Sequence, residues 1–126
     1  FAYCDSGMIP WLLVAAEMSR SGKPLSQLVG ERMAKFPCSG EINRTVADAV
    51  EVMARVEERY VTAGAAVDKT DGLSLSYDSW RFNLRLSNTE PVIRLNVESR
   101  GDAALMQNKT AEILAFIDAI GKKADR

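Results

Sequence analysis

Apolar residues along this chain follow two different rhythms, and the change of rhythm divides it. Met8, Ile9, Trp11, Leu12, Leu13, Val14, Ala15, Ala16 and Met18 follow an Asp5-Ser6-Gly7 start and precede Gly22, which predicts a helix. Pro10 falls in its first turn, where few backbone N–H groups are committed to intrahelical bonds. This helix is apolar nearly all round, so other structure has to cover most of its faces. A second helix opens at Lys23-Pro24, carries Leu25, Leu28, Val29, Met33 and Phe36 on one stripe, and ends at Pro37.

Beyond Pro37-Cys38-Ser39-Gly40, which reads as a linker, strands enter. Glu41 to Thr45 suits a short strand, and Ala47 to Val61 an amphipathic helix with Val50, Met53, Val56, Tyr60 and Val61 inward. Ala65 to Val67 is a second short strand candidate. Leu73 to Tyr77 alternates with period two, Trp80, Phe82 and Leu84 alternate with Arg81, Asn83 and Arg85, and Val92 to Val97 forms a further run. Asp71-Gly72 and Asp78-Ser79 supply turns. Asp102 caps a helix reaching about Gly121, with Leu105, Met106, Ile113, Leu114, Ile117 and Ile120 on its buried stripe. Residues 37–126 thus predict a complete α+β unit, an antiparallel sheet of about four strands flanked by helices. Residues 1–36 predict a helical hairpin with no sheet of its own, the end of a preceding α/β domain. The chain begins at Phe1 rather than Met, so further sequence upstream is expected.

Composition narrows the chemistry. The 126 residues carry 16 Lys plus Arg against 17 Asp plus Glu, for a net charge of −1, and contain no histidine. That removes Ser-His-Asp and Cys-His nucleophile systems and imidazole metal sites. A balanced charge argues against nucleic acid as a partner. Cys4 and Cys38 stand alone, which fits a reducing, cytoplasmic setting better than a disulfide framework. The Met8 to Met18 run is too short to span a bilayer and lacks the basic start of a signal peptide, so no membrane partner is expected.

One connection stands out chemically. Arg85-Leu86-Ser87-Asn88-Thr89-Glu90-Pro91 joins two strands and gathers a fixed cation, two hydroxyls and an amide. A guanidinium binds two phosphate oxygens at once, hydroxyls donate singly, and successive turn N–H groups form an anion nest. The same residues also make an ordinary turn with Arg85 paired to Glu90, and composition alone leaves both readings open. Trp80 and Phe82 alternate at core spacing and read as packing. Asp68 and Asp71 read as turn residues rather than a metal pair.

The string R-x-S-N-T-E-P resembles the phosphate-binding loop of the α-D-phosphohexomutase superfamily, in its phosphomannomutase/phosphoglucomutase branch. Phe1 to Pro10, Thr70-Asp71-Gly72, Trp80 to Arg85 and Val92 to Asp102 are also similar to the bacterial phosphomannomutases of surface-polysaccharide synthesis, so the likeness runs over essentially the whole chain. It implies that residues 37–126 form the last of four domains, with a TATA-binding-protein-like fold, and that residues 1–36 close the third. It implies a parent enzyme that interconverts mannose 6-phosphate and mannose 1-phosphate for GDP-mannose synthesis. The reaction runs through a phosphoserine and a hexose 1,6-bisphosphate intermediate, with Mg²⁺ on an aspartate-rich loop. This chain has no T-x-S-H-N-P serine, no D-G-D loop and no G-E-x-S-G-H sugar-selecting loop, so it is expected to be inactive alone.

Carried over residue by residue, the resemblance assigns Arg85, Ser87, Asn88 and Thr89 to the substrate phosphate that is not transferred, with Glu90 fixing the loop. Arg94, just into the next strand, either adds a second charge or points to solvent; Arg81 is a weaker candidate. Phosphoglucosamine mutases tend to read S-G-T-E-P, so Asn88 leans toward mannose or glucose phosphates without separating them. The expected partners are a hexose phosphate and the upstream mutase domains. Two alternatives remain: a phosphoglucomutase fragment, and a non-catalytic interaction domain that docks through the apolar hairpin.

Overall fold

The computed structural model describes residues 6–87 and 89–121. The chain divides into two compact units, Phe1–Lys35 and Phe36–Arg126. In the first, α1 (Met8–Ser21) and α2 (Leu25–Lys35) form the helical hairpin that the apolar spacing predicts. Gly22 ends α1 in the left-handed conformation, with its N–H donated to the Met18 carbonyl, a role in which glycine meets no steric penalty. Neither helix contains a buried residue, and Met8, Ile9, Trp11, Leu12 and Leu13 are each more than half exposed.

The second unit is an α+β fold. Its strands are β1 (Ile42–Thr45), β2 (Ala66–Asp68), β3 (Leu73–Ser76), β4 (Trp80–Leu86) and β5 (Val92–Ser99); its helices are α3 (Ala49–Thr62) and α4 (Ala103–Ile120). They form one antiparallel sheet in the order β1-β5-β4-β3-β2. Five strands rather than about four result because both short candidates, β1 and β2, pair at the edges. The segment read as a linker is also tied down. Ser39 donates its N–H to the Val97 carbonyl at 2.9 Å and accepts the Val97 N–H on its hydroxyl at 2.9 Å, while Ser99 donates to the Pro37 carbonyl at 3.0 Å. Residues 37–39 therefore lie along the second half of β5, whose first half is taken by β1.

Alternation decides which side of the sheet is dry. Leu73, Leu75, Trp80, Phe82, Leu84, Ile93, Leu95 and Val97 are buried together with Val52, Val56 and Tyr60 of α3 and Ile113 and Ile117 of α4. Both helices thus cover one face, and residues between the buried ones, Arg81, Asn83, Arg85, Arg94, Asn96 and Glu98, turn to the other. Asp48 caps α3 by accepting the Val50 and Glu51 N–H groups, and Asp102 caps α4 through the Leu105 N–H. Trp80 and Phe82 pack as expected.

The inward face of α3 differs from the sequence reading. Val52 is 2% exposed and Val50 is 69% exposed, so the buried line runs Val52, Val56, Tyr60 at four-residue steps. Both sets satisfy helical periodicity, and docking against β3 and β4 selects which one meets the sheet. Removing two buried methyls costs about 2 kcal/mol, whereas an exposed change stays within about 0.5 kcal/mol. Urea denaturation should therefore show Val52→Ala losing about 2 kcal/mol and Val50→Ala almost nothing; equal losses would contradict this packing.

Tyr60 links the two helices, donating its hydroxyl to Glu112 Oε1 at 3.1 Å and accepting the Tyr77 hydroxyl on its carbonyl at 2.9 Å. Burial first, then the Glu112 charge, pushes its phenol well above the ordinary range. A raised folded pKa means that the neutral form is favoured in the native state. Stability is fully present below the unfolded value, about pH 10, and is lost as pH rises beyond it. Alkaline titration followed at 295 nm should show Tyr60 ionising only with unfolding, and Tyr60→Phe should remove that coupling.

Candidate functional site

Arg85 is the last open-face residue of β4 before the hairpin connection, and Arg94 the first charged one of β5 after it. The register places them directly opposite each other. Cross-strand neighbours sit about 5 Å apart at Cβ, and like charges in such a pair repel. Each guanidinium therefore has a carboxylate on its outer side. Arg85 Nη1 donates to Asp71 Oδ2 at 2.9 Å, and Arg94 Nη1 lies 3.9 Å from Glu41 Oε1. The arginine side chains are 41% and 40% exposed against 75% and 52% for their acids. Such solvated pairs contribute little stability, and Arg94 Nε is buried with no hydrogen-bond partner among the described residues. The cations are held in place by acids that lie further out in water.

The connection itself is short and closed. Ser87 donates its N–H to the Val92 carbonyl at 2.9 Å, Val92 donates to the Glu90 carbonyl at 2.7 Å, and the Pro91 carbonyl accepts from Val46 at 3.1 Å. Ser87 Oγ lies 3.4 Å from both the Thr89 hydroxyl and the Thr89 N–H. Two hydroxyls thus stand side by side on a backbone anchored at both ends. Asn88 lies outside the described residues, as do Phe1 to Asp5 with Cys4.

The structure accordingly brings Arg85, Ser87, Thr89 and Arg94 to one end of the open face. Arg85 pairs with Asp71, not with Glu90, which serves the turn through its carbonyl. Arg81 stands four residues back along β4, held by Glu98 at 3.0 Å. Asp68 has the turn role expected: hydrogen bonds from Thr70 keep its carboxyl below the usual carboxylate range. Asp71 joins these residues through Arg85, a place that sequence reasoning missed; its signs were the Asp-Gly turn and the Thr70-Asp71-Gly72 string of the family resemblance.

That turn meets β4 closely. Gly72 has φ +75°, and a Cβ there would stand 2.6 Å from the Leu84 carbonyl oxygen and 2.8 Å from Arg85 Cγ. Between β3, β4 and β5, Asp71, Ser74, Arg81, Asn83, Asn96 and Glu98 line a polar depression of about 270 Å³. Among the described residues no group of three Cys, Asp or Glu side chains is placed to hold a metal ion. No helix there is long and apolar enough to cross a membrane.

A strand-loop-strand arrangement on an open sheet face, presenting arginine and hydroxyls, has the chemistry to hold an anion. Residues 41–115 match the family model described as phosphoglucomutase/phosphomannomutase, C-terminal domain, and residues 1–36 match the alpha/beta/alpha domain III model of the same enzymes. The chain belongs to the phosphoglucomutase/phosphomannomutase family. It is 60% identical over 117 residues to a phosphomannomutase of Escherichia coli, covering 93% of this chain and 26% of that protein. It is 59% identical over 113 residues to phosphohexose mutases of Xanthomonas campestris pv. campestris, covering 90% and 25%. A crystal structure of a phosphoglucomutase/phosphomannomutase family protein from Burkholderia thailandensis shares the fold at a TM-score of 0.61 and 23% identity, over 97% of this chain and 26% of that one. The chain spans about a quarter of the length of these relatives.

The turn at Gly72 gives a direct test of this geometry. A side chain at positive φ costs about 1–3 kcal/mol, and here it also collides with backbone. Gly72→Ala should lower stability by at least that amount and shift the amide resonances of Leu84 and Arg85; an unchanged spectrum would contradict the close approach.

Proposed function

We propose that residues 37–126 are the substrate-phosphate-binding domain of a phosphomannomutase and that residues 1–36 belong to its third domain. The observation that carries this reading is the convergence of Arg85, Arg94 and the Ser87 and Thr89 hydroxyls at one end of the open sheet face. In the parent enzyme the grip would hold the phosphate that stays on the sugar while the other is transferred. Arg85 supplies a bidentate clamp, Ser87 and Thr89 single donors, Asn88 a further amide, and Arg94 a second charge. Pre-set loop anchors keep the ordering cost low. The contribution is positional: fixing one phosphate aligns the other end of the sugar for in-line transfer and closes the cleft to water.

The chemistry proper, with its phosphoserine, hexose 1,6-bisphosphate intermediate and Mg²⁺, is assigned to the parent's other domains, and this chain alone has no mutase activity in this reading. Mannose rather than glucose is favoured because phosphomannomutases are among the relatives of the chain. The exposed apolar side chains of α1 would equally serve an interaction domain. The match of residues 1–36 to the domain III model favours cover by the parent's own third domain.

Each charge-assisted hydrogen bond contributes about 1.5–3 kcal/mol, reduced at an open, solvated loop. The isolated chain should bind mannose 6-phosphate at about millimolar strength, about 4 kcal/mol. Titration of ¹⁵N-labelled protein should shift the Ser87 and Thr89 amides, and Arg85→Ala should weaken binding about tenfold or more. Shifts confined to another surface, or an Arg85→Ala protein that binds as well as the native one, would overturn the proposal.

A further inference from the structure

We propose that Asp71 is a positioning residue for the phosphate grip, holding the Arg85 guanidinium in its binding orientation; this rests on the phosphate reading of Arg85. Arg85 lies between two neighbours of opposite effect. Across the ladder on β5 stands Arg94, which repels it. On the β3 side stands the Asp71-Gly72 turn, whose carboxylate accepts from Nη1 at 2.9 Å.

The turn is fixed without help from that ion pair. The Asp71 carbonyl accepts from Asn83 Nδ2 at 2.8 Å, Asn83 also donates to Ser74 Oγ at 2.9 Å, and the bare Cα of Gly72 lets the backbone rest on the Arg85 stem. Asp71 therefore presents its carboxylate from a rigid base. It engages a single guanidinium nitrogen, and among the described residues this is the hydrogen bond that Arg85 makes. A guanidinium has five N–H donors, and its Nε/Nη2 edge forms a bidentate fork. Contact at Nη1 leaves that fork for the phosphate.

A pair so exposed contributes little to folding, which separates orientation from stability. Without Asp71 the side chain swings away from Arg94 into water, and binding must then pay for its ordering. The contrary expectation is physical too: a carboxylate beside an anion site repels the ligand, so its removal would tighten binding. The two predict opposite signs.

The test uses the 126-residue chain, mannose 6-phosphate as ligand, and the Arg85 Nε–H resonance as a second readout. Asp71→Ala should weaken binding about fivefold, broaden the Arg85 Nε–H signal, and leave the denaturation midpoint unchanged. Asp71→Asn, which keeps an oxygen acceptor but no charge, should bind within about twofold of native. In an Arg85→Ala background, Asp71→Ala should change nothing further. If Asp71→Ala binds equally or more tightly while Arg85→Ala weakens binding, the positioning role is overturned. If Arg85→Ala has no effect, the phosphate reading falls instead. Positioning is then decided by the Nε–H signal of Asp71→Ala, where broadening supports it and an unchanged signal overturns it.

Discussion

Two-residue periodicity in β4 and β5 is the constraint on which the rest depends. Successive side chains of a strand point to opposite faces. Once Phe82, Leu84, Ile93, Leu95 and Val97 are committed to the core under α3 and α4, Arg85 and Arg94 are committed to the open face. A one-residue slip would bury both arginines and expose the aromatic core. The hydrophobic packing that stabilises the unit therefore also sets the position of its cations. Ser87, still in phase with Arg85, is carried to the same side at the point where the ladder gives way to the loop.

That arrangement places two like charges side by side, and the surrounding residues moderate the repulsion without removing it. Asp71 and Glu41 sit outside the arginines, more exposed than the groups they face. Water screens such pairs, so neither arginine is locked to its acid. A buried ion pair would have neutralised the site and exacted a desolvation penalty. The outward acids pair with the guanidinium groups while remaining more exposed than the arginines they face.

Much of this was legible in the sequence. Alternation in Trp80 to Arg85 announced both the strand and its two faces, the Asp48 and Asp102 positions marked helix starts, and R-x-S-N-T-E-P marked the loop. What escaped was decided by tertiary contact. Val50 and Val52 are equally apolar and both lie on helical spacings, so only docking on β3 and β4 separates them. Pro37 to Gly40 has linker composition, yet residues 37–39 complete β5 because that strand outruns β1 and leaves its last N–H and carbonyl groups to be paired. Asp71 looked like turn chemistry alone, since nothing local shows that its turn folds against a residue fourteen positions later.

A grip on the phosphate of a sugar phosphate at the open end of the β4–β5 hairpin is directly observable. The most direct measurement is a crystal structure of the full-length parent enzyme with mannose 6-phosphate bound. Phosphate oxygens are expected within about 3 Å of the Arg85 guanidinium and of the Ser87 and Thr89 hydroxyls. A bound phosphate held entirely by other residues, with no oxygen near the Arg85 guanidinium and the loop empty, would contradict it.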